Sequence, residues 1–578
     1  MSNTTLFPSK TECMTKNAAG GKAYALKDQD ALTQYAFTGT LANTHYVTAK
    51  SHLETVLNLC KAVDPEVVAK IAIASRTHGY MKDMPAMLLA YLNATDTAIL
   101  KKVFSKVIDN GKMLKNFVQI VRSGVTGRRG FGNGTKNLIR QWLESRDDVQ
   151  LLYDSIGGEG VSLDEIIHMV RPKPANNKRS AMYAWLCGAK IQDEKLVREV
   201  YYPVDRKAEK IVFQSNTRVY DVADLPPRIL ELERYFADET KLDSPPKVPF
   251  RLLTRLKLSK AAWAKICQDM SWQELRQNLE TLTRHGVFED PQMVSYACKK
   301  LRDPKEIAKS KVFPYQLLAA YLDTGETPVF EGVTKHFWTT VKYYMEKKDK
   351  KGSQAISIPL ELRYALQDAM EVAIENVPQF KGQSYLCVDV SGSMGYPVTG
   401  ERDPEKVHTK VRCLDAAGLM AAAFLRRNPM AKVLPFNTKI LDIKLNPMDR
   451  VMINAEKFVK YGQGGTDCSE PLRVLNEQKA MGDTIIFLSD NESWLDKSSS
   501  NQKDTSLVRE WNVFKERNPN AKMVNIDITP KKDSQTIEAK DSLLIGGFSD
   551  QVFKMVDQFI NGDFSKSHWK DVIDNITI

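Results

Sequence analysis

Residues 384–394 read Ser-Tyr-Leu-Cys-Val-Asp-Val-Ser-Gly-Ser-Met, and this stretch decides the fold of the C-terminal part of the chain. Tyr385 to Val388 is a short apolar run of the kind that forms a buried strand. The run stops at a turn on which Asp389, Ser391 and Ser393 place three oxygen-bearing side chains, and Gly392 lets that turn close. Hard cations such as Mg²⁺ take oxygen ligands in near-octahedral geometry and keep some of their waters. Two further pieces follow in order. Gly464-Gly465-Thr466-Asp467 offers a hydroxyl from a Gly-rich loop, and Asp483 to Asp490 (DTIIFLSD) is a second apolar strand with a carboxylate at its C-terminal end. In open α/β sheets, ligands gather at the C-terminal ends of the strands.

Around these pieces the sequence alternates between strand and helix patterns. Leu360 to Ala373 reads as a helix, Cys413 to Leu425 as an Ala-rich amphipathic helix and Ala431 to Phe436 as a strand. Val451 to Phe458 and Pro471 to Ala480 read as helices, Lys522 to Ile528 as a late strand and Phe553 to Ile560 as a closing helix. Lys497 to Thr505 is a polar, Ser-rich loop. This alternation predicts a doubly wound parallel sheet. The ordered set resembles the metal-ion-dependent adhesion site of a von Willebrand factor A domain. By that resemblance Asp389, Ser391, Ser393 and Thr466 lie close to a divalent cation, most simply Mg²⁺, with Asp490 acting directly or through water.

The chain has 578 residues, 43% of them hydrophobic and 26% charged, which is ordinary for a globular protein of two to four domains. No apolar run approaches the roughly 18 to 20 residues of a membrane span. Met1 to Lys27 has no signal-type apolar core, so a cytoplasmic location is expected. The eight cysteines form no CxxC pair and have no histidine at zinc spacing, and they are expected as reduced thiols. The net charge is +11. Residues 1–370 hold 55 Lys and Arg against 42 Asp and Glu, whereas residues 371–578 hold 27 against 29. The positive excess therefore belongs to the N-terminal part, where it favours phosphate backbones.

That part reads as mainly helical. Apolar residues recur at helical spacing near 53–63 and 67–72, then in stretches near 96–109, 112–122, 135–145, 163–170 and 178–187. Gly and Pro fall between these stretches, and strand-like alternation is scarce. Stacked helical hairpins without an exact repeat period are expected. Residues 101–140 contain ten basic residues and one acid, Asp109. The basic ones include Lys112, Lys115, Arg122, Arg128, Arg129, Lys136 and Arg140. The centre of the cluster, Ser123 to Gly134, is Gly-rich and carries both Arg128 and Arg129. Such a loop can bring backbone N–H groups and guanidinium forks to phosphates. Arg171 and Lys173 lie on a Pro-bounded extended segment after His168. A second basic block, Lys247 to Lys265, includes Arg251 and Arg255, which share a face if the segment is helical. Trp263, Trp272 and Phe288 read as core aromatics.

A basic helical region followed by a metal-site α/β domain resembles the Ro autoantigen family, whose helical module is the TROVE domain. The phrases that carry the resemblance are Thr38 to Tyr46 (TGTLANTHY), Arg76 to Ala90, Gly130 to Trp142 (GFGNGTKNLIRQW), Ile166 to Pro174 (IIHMVRPKP), Val248 to Arg255, Trp272 to Gly286 and Val312 to Ala320. In the A domain they are GGTDCSEPL and FLSDNES. The resemblance implies a ring-like HEAT-type helical-repeat domain over 25–370 and a von Willebrand factor A domain over 371–562. Residues 1–24 are then a flexible N-terminus and 563–578 a tail. It also implies binding of small noncoding Y-type RNAs on a basic outer surface and of misfolded RNA ends in a central hole, by a protein that is not an enzyme and is expected to be a monomer. The candidate RNA contacts are Lys112, Lys115, Arg122, Arg128, Arg129, Lys136, Arg140, His168, Arg171, Lys173, Arg251 and Arg255. This chain has Arg171 where family members often carry a histidine, and Asp154 and Gly158 where some carry basic residues. These departures imply a different detail of RNA recognition.

Other function classes fit less of the sequence. A metal-dependent protein-binding scaffold would explain the A domain, its open coordination position accepting a partner carboxylate, but not the basic helices. A chelatase-type accessory subunit usually brings an acidic linker, which is absent. No Ser/His/Asp order, HExxH or Walker loop supports a hydrolase.

Overall fold

A computed structural model describes residues 14–17, 19–38, 48–156, 160–203, 213–237, 244–254, 256–310, 312, 317–318, 320, 358–375, 377–396, 398, 411–458, 460–493, 504–529, 531–536, 539–547, 550–561 and 572–578. Most of the TGTLANTHY phrase, Gly158, Arg255, the charged loop 346–353 and most of the 497–505 loop lie outside them. The described strands are β1 (Met14–Lys16), β2 (Lys22–Ala25), β3 (Lys190–Gln192), β4 (Lys195–Pro203), β5 (Phe213–Asp221), β6 (Ser384–Asp389), β7 (Lys432–Phe436), β8 (Thr484–Ser489), β9 (Lys522–Asp527), β10 (Asp533–Ser534) and β11 (Ser542–Gly546). The chain forms two compact units, one of residues 1–84 with 271–577 and one of residues 85–270. The helices before 84 and after 271 thus group with the A domain.

The unit 85–270 is mainly helical, because nearly every turn carries a cap. Asp96, Asn110, Asp147, Ser162, Asn176 and Ser259 each accept from a backbone N–H of the first turn that follows. The helices they start are Thr97–Val107, Gly111–Ser123, Asp148–Ser155, Leu163–Val170, Asn177–Leu186 and Lys260–Asp269. Asn133–Ser145 begins after Gly132. The core of the unit includes Leu100, Phe104, Leu114, Phe117, Val121, Ile139 and Leu143. Phe117 meets Phe104 edge-on at 5.4 Å, and Trp142 Nε1 donates to Ile108 O at 2.6 Å. Phe117→Ala leaves a ring-sized cavity there, with an expected loss of about 3–5 kcal/mol. Thermal and urea unfolding of the purified variant check this value.

One part of this unit departs from the helical expectation. β3, β4 and β5 form an antiparallel sheet in the order β3-β4-β5, with Leu196 opposite Tyr220 and Arg198 opposite Arg218. The inner face is anchored by Leu196, which is buried, while Val219 on the other face is 55% exposed. A strand with only one covered face and charged residues between its apolar ones has a weak periodic signal.

The other unit is built on a five-stranded parallel sheet of order β11-β9-β8-β6-β7. Chain order reverses between β6 and β8, so the crevice at their C-terminal ends is the switch point of a doubly wound sheet. β6 and β8 are buried at every position, as expected of strands covered on both faces. The helix Cys413–Arg427 is buried from Cys413 to Leu425. Gly418 there lies where an added Cβ would meet Ala455 O at 3.2 Å. Trp272 and Phe288 are buried in this unit, and Trp263 in the other, all as expected.

Both ends of the chain depart from the expected loose segments. β1 and β2 form a hairpin, and β2 also pairs with β10. In the expected tail, Ile573 is buried and Lys70 Nζ donates to Asp574 O at 3.3 Å.

His52 is fully buried beside Tyr35, 3.3 Å from its hydroxyl. Burial, then Lys531, hold its pKa down at about 4. The imidazole is therefore neutral when folded and protonates in the unfolded chain near pH 6.5, so the unfolded state binds more protons between these values. Stability is present above pH 6.5 and is lost as pH falls through that window, by about 3 kcal/mol for the full shift. His52→Gln should flatten this fall, measured as the difference in melting temperature between pH 7 and pH 5.

Candidate metal centre and basic surface

At the switch-point crevice the turn after β6, the Gly-rich loop and the loop after β8 are tied together. Asp389 closes β6 and is fully buried. Its Oδ1 accepts from Ser391 N at 2.9 Å and its Oδ2 from Ser489 Oγ at 2.7 Å. The Ser391 and Ser393 hydroxyls lie 3.2 Å apart. Gly392 N donates to Gly464 O at 3.0 Å, which ties this turn to the Gly-rich loop. Gly462 and Gly464 in that loop have φ of 87°, in the left-handed region that favours glycine. Thr466 is buried, and its carbonyl lies 3.4 Å from Ser493 Oγ on the loop that follows β8. Asp490 begins that loop and is 4% exposed.

Burial, followed by the Asp490 charge, pushes the Asp389 carboxyl up to about 7. Two buried carboxylates and three hydroxyls, with no nitrogen or sulfur donor among them, are the donor chemistry of a hard cation. A divalent ion there would offset the repulsion between the two carboxylates. The residues present therefore fit the group. Among the described residues no cluster of three or more His, Cys, Asp or Glu side chains is placed to hold a metal. A site built on hydroxyls differs from such clusters in kind. Asp467 is engaged elsewhere, accepting from Ser469 and pairing with Arg473 at 2.7 Å.

Several contributors were not singled out from the sequence. Ser489 holds Asp389, and it is the residue before Asp490 in the FLSD phrase. Asn491 adopts φ 58° and donates to Asp527 Oδ2 at 3.1 Å, bending the chain just after Asp490. Glu492 pairs with the buried Lys531 and accepts from Ala19 N of the N-terminal hairpin at 2.9 Å. Asn17 Nδ2 donates to Ser493 O at 2.8 Å. Only folding brings residues 17–21 to this loop.

The basic surface lies on the helical unit. Lys112, Arg122, Arg128, Arg129, His168, Arg171, Lys173 and Arg251 are exposed, and Lys136 and Arg140 are half-buried. Gly124 ends the helix Gly111–Ser123 at φ 76°, and the stem of Arg129 lies over it. Arg122 faces Glu165 at 3.4 Å. Arg140 Nε donates to Val170 O at 2.6 Å and so caps the helix Leu163–Val170. Arg251 sits in a single 3₁₀ turn, Phe250–Leu252.

Lys115 is corrected by the structure. It is 4% exposed and gives its ammonium to Ser155 O and Ile156 O, both at 3.2 Å. It satisfies the end of the helix Asp148–Ser155 and cannot reach a ligand at the surface. Asp154 is structural too. It accepts from Gly111 N at 2.7 Å and pairs with Arg146 at 2.9 Å.

Among the described residues, no helix is long and apolar enough to cross a membrane. The family model of the Ro60 vWA domain matches residues 383–560. The chain is 22% identical over 509 residues to the RNA-binding protein RO60 of Deinococcus radiodurans, covering 84% of each. It is 21% identical over 398 residues to the RNA-binding protein RO60 of Caenorhabditis elegans, covering 64% of this chain and 57% of that one. The crystal structure of the Deinococcus radiodurans RO (RSR) protein superposes with a TM-score of 0.58 and 18% identity, over 93% of this chain and 100% of that one. The matched A domain, the long alignment and the shared fold agree with the motif order of the sequence, and the chain is similar to Ro proteins over most of its length.

Proposed function

We propose that this protein binds RNA through the basic surface of the helical unit. The observation that carries the proposal is the exposure of Lys112, Arg122, Arg128, Arg129, Arg171 and Lys173 on one compact unit. Two relatives named as RNA-binding proteins support it. Within this reading the ligand is a small structured noncoding RNA of the Y type. Single-stranded ends of misfolded RNA enter the central hole that the family resemblance implies. The protein is a non-enzymatic, monomeric, cytoplasmic ribonucleoprotein component acting in RNA quality control or tethering.

A second role is proposed for the A domain, carried by the buried oxygen set at the switch point. Asp389, Ser391, Ser393, Thr466 and Asp490 would hold Mg²⁺, directly or through water. The ion, when bound, supplies a coordination position that a partner protein's carboxylate can enter. Asp389 is held for this by Ser489 and by the Ser391 N–H, so the carboxylate is oriented before any ion arrives.

Binding of a labelled RNA stem-loop at several salt concentrations tests the RNA reading. Affinity should fall by at least about 10³ between 50 and 200 mM salt if six or more phosphates are contacted. Weak binding with no dependence on salt would refute a phosphate-reading surface.

A further inference from the structure

We propose that the β4–β5 hairpin is an additional arm of the RNA surface, with Arg198 and Arg218 as phosphate contacts; this rests on the RNA-binding reading above. The register sets Arg198 directly opposite Arg218 on the two strands. Directly opposite residues of an antiparallel pair project from the same face, about 5 Å apart at Cβ. The face therefore carries two guanidinium forks, the side chain best suited to phosphate oxygens.

From that face Arg198 reaches His168 on the helix Leu163–Val170. Arg198 Nη2 lies 2.5 Å from His168 Nε2, and His168 Nδ1 lies 2.7 Å from Asp164 O. A carbonyl oxygen can only accept, so Nδ1 carries the proton and Nε2 accepts from the guanidinium. His168 is thus a support that aims Arg198, rather than a free base-reading group. Three residues on, Arg171 ends the same helix with φ 49°, and Lys173 follows between two prolines. Arg171, Lys173 and Arg218 are exposed, and Arg198 is half-buried. The hairpin thereby adds two arginines beside the Pro-bounded segment already assigned to RNA. Acidic groups in the neighbourhood include Glu199, next to Arg198 on β4, Asp164, whose charge is felt with that of Arg198 at Cys187, and Glu165, which faces Arg122. An RNA phosphate is the occupant this arrangement fits, because each fork offers parallel donors to two oxygens of one phosphate.

The test uses the full chain and a fluorescein-labelled RNA stem-loop. Arg198→Glu with Arg218→Glu should weaken binding at least tenfold. The slope of log affinity against log salt should fall by about 0.9 for each phosphate lost. Arg198→Lys with Arg218→Lys, which keeps the charges, should retain the slope and lose only part of the affinity. Crosslinking of wild-type protein to the same RNA carrying 4-thiouridine should label peptides within 195–221, a readout that does not depend on how the variants fold. Wild-type affinity and slope in the Glu variant, with no crosslink in the hairpin, would overturn the arm while Arg128→Glu with Arg129→Glu still loses binding in the same assay. Failure of the wild-type protein to bind RNA at all would overturn the arm and the RNA reading together.

Discussion

Charge reversal at Arg128 and Arg129 is expected to weaken RNA binding by about a hundredfold. A hydrogen bond to a charged group contributes about 1.5–3 kcal/mol. Losing two such contacts therefore corresponds to at least about 3 kcal/mol, or roughly two orders of magnitude in affinity. The salt slope should fall by about 2, since each phosphate contact contributes about 0.9. The fold should survive, because both side chains are exposed and Arg128 has a long hydrogen bond, 3.4 Å, to Asn93 O. The buried neighbours that fix the loop stay in place. Thr135 Oγ1 still donates to Asn93 Oδ1 at 2.7 Å, and Gly124 still ends its helix. Fluorescence anisotropy with a labelled RNA, together with a thermal melt, reads both effects. Unchanged affinity in a folded variant would remove this loop from the interface.

Asp389→Ala should abolish divalent-cation binding and leave RNA affinity within about twofold of wild type, since the candidate RNA contacts belong to the other compact unit. The substitution removes a carboxylate that organises the site through Ser391 N and Ser489 Oγ, as well as a candidate ligand. Isothermal titration with Mg²⁺ or Mn²⁺ should show heat for the wild type and none for the variant. The rise in melting temperature with added ion should also vanish, because an ion that binds only the folded state stabilises it by mass action. RNA binding lost along with the metal, in a folded variant, would show that the two sites do not act separately.

The parts of the candidate A-domain site are local in the sequence. Asp389, Ser391 and Ser393 share one turn, and Thr466 and Asp490 each follow a strong signal, a glycine pair and an apolar strand. Val451–Phe458 and Leu360–Ala373 form the helices expected from their spacing. What the sequence concealed depends on distant partners. Lys115 looks like any surface lysine of an amphipathic helix until Ser155 and Ile156 present their carbonyls to it. Nothing near Asn17 or Ala19 announces that they will hold Ser493 and Glu492. The β3–β5 sheet escaped because its apolar residues are interrupted by charges and one face stays in water. His168 is a candidate from the sequence, but its role as a support for Arg198 needs that hairpin.

The most direct test of the central claim is to purify the protein from native lysate and sequence the RNA that accompanies it, repeating the capture as salt is raised. A structured small RNA that is enriched at low salt and released as salt rises is the predicted result. Properly folded protein that carries no RNA at any salt concentration would contradict the claim, and would leave the A-domain site as the principal binding function.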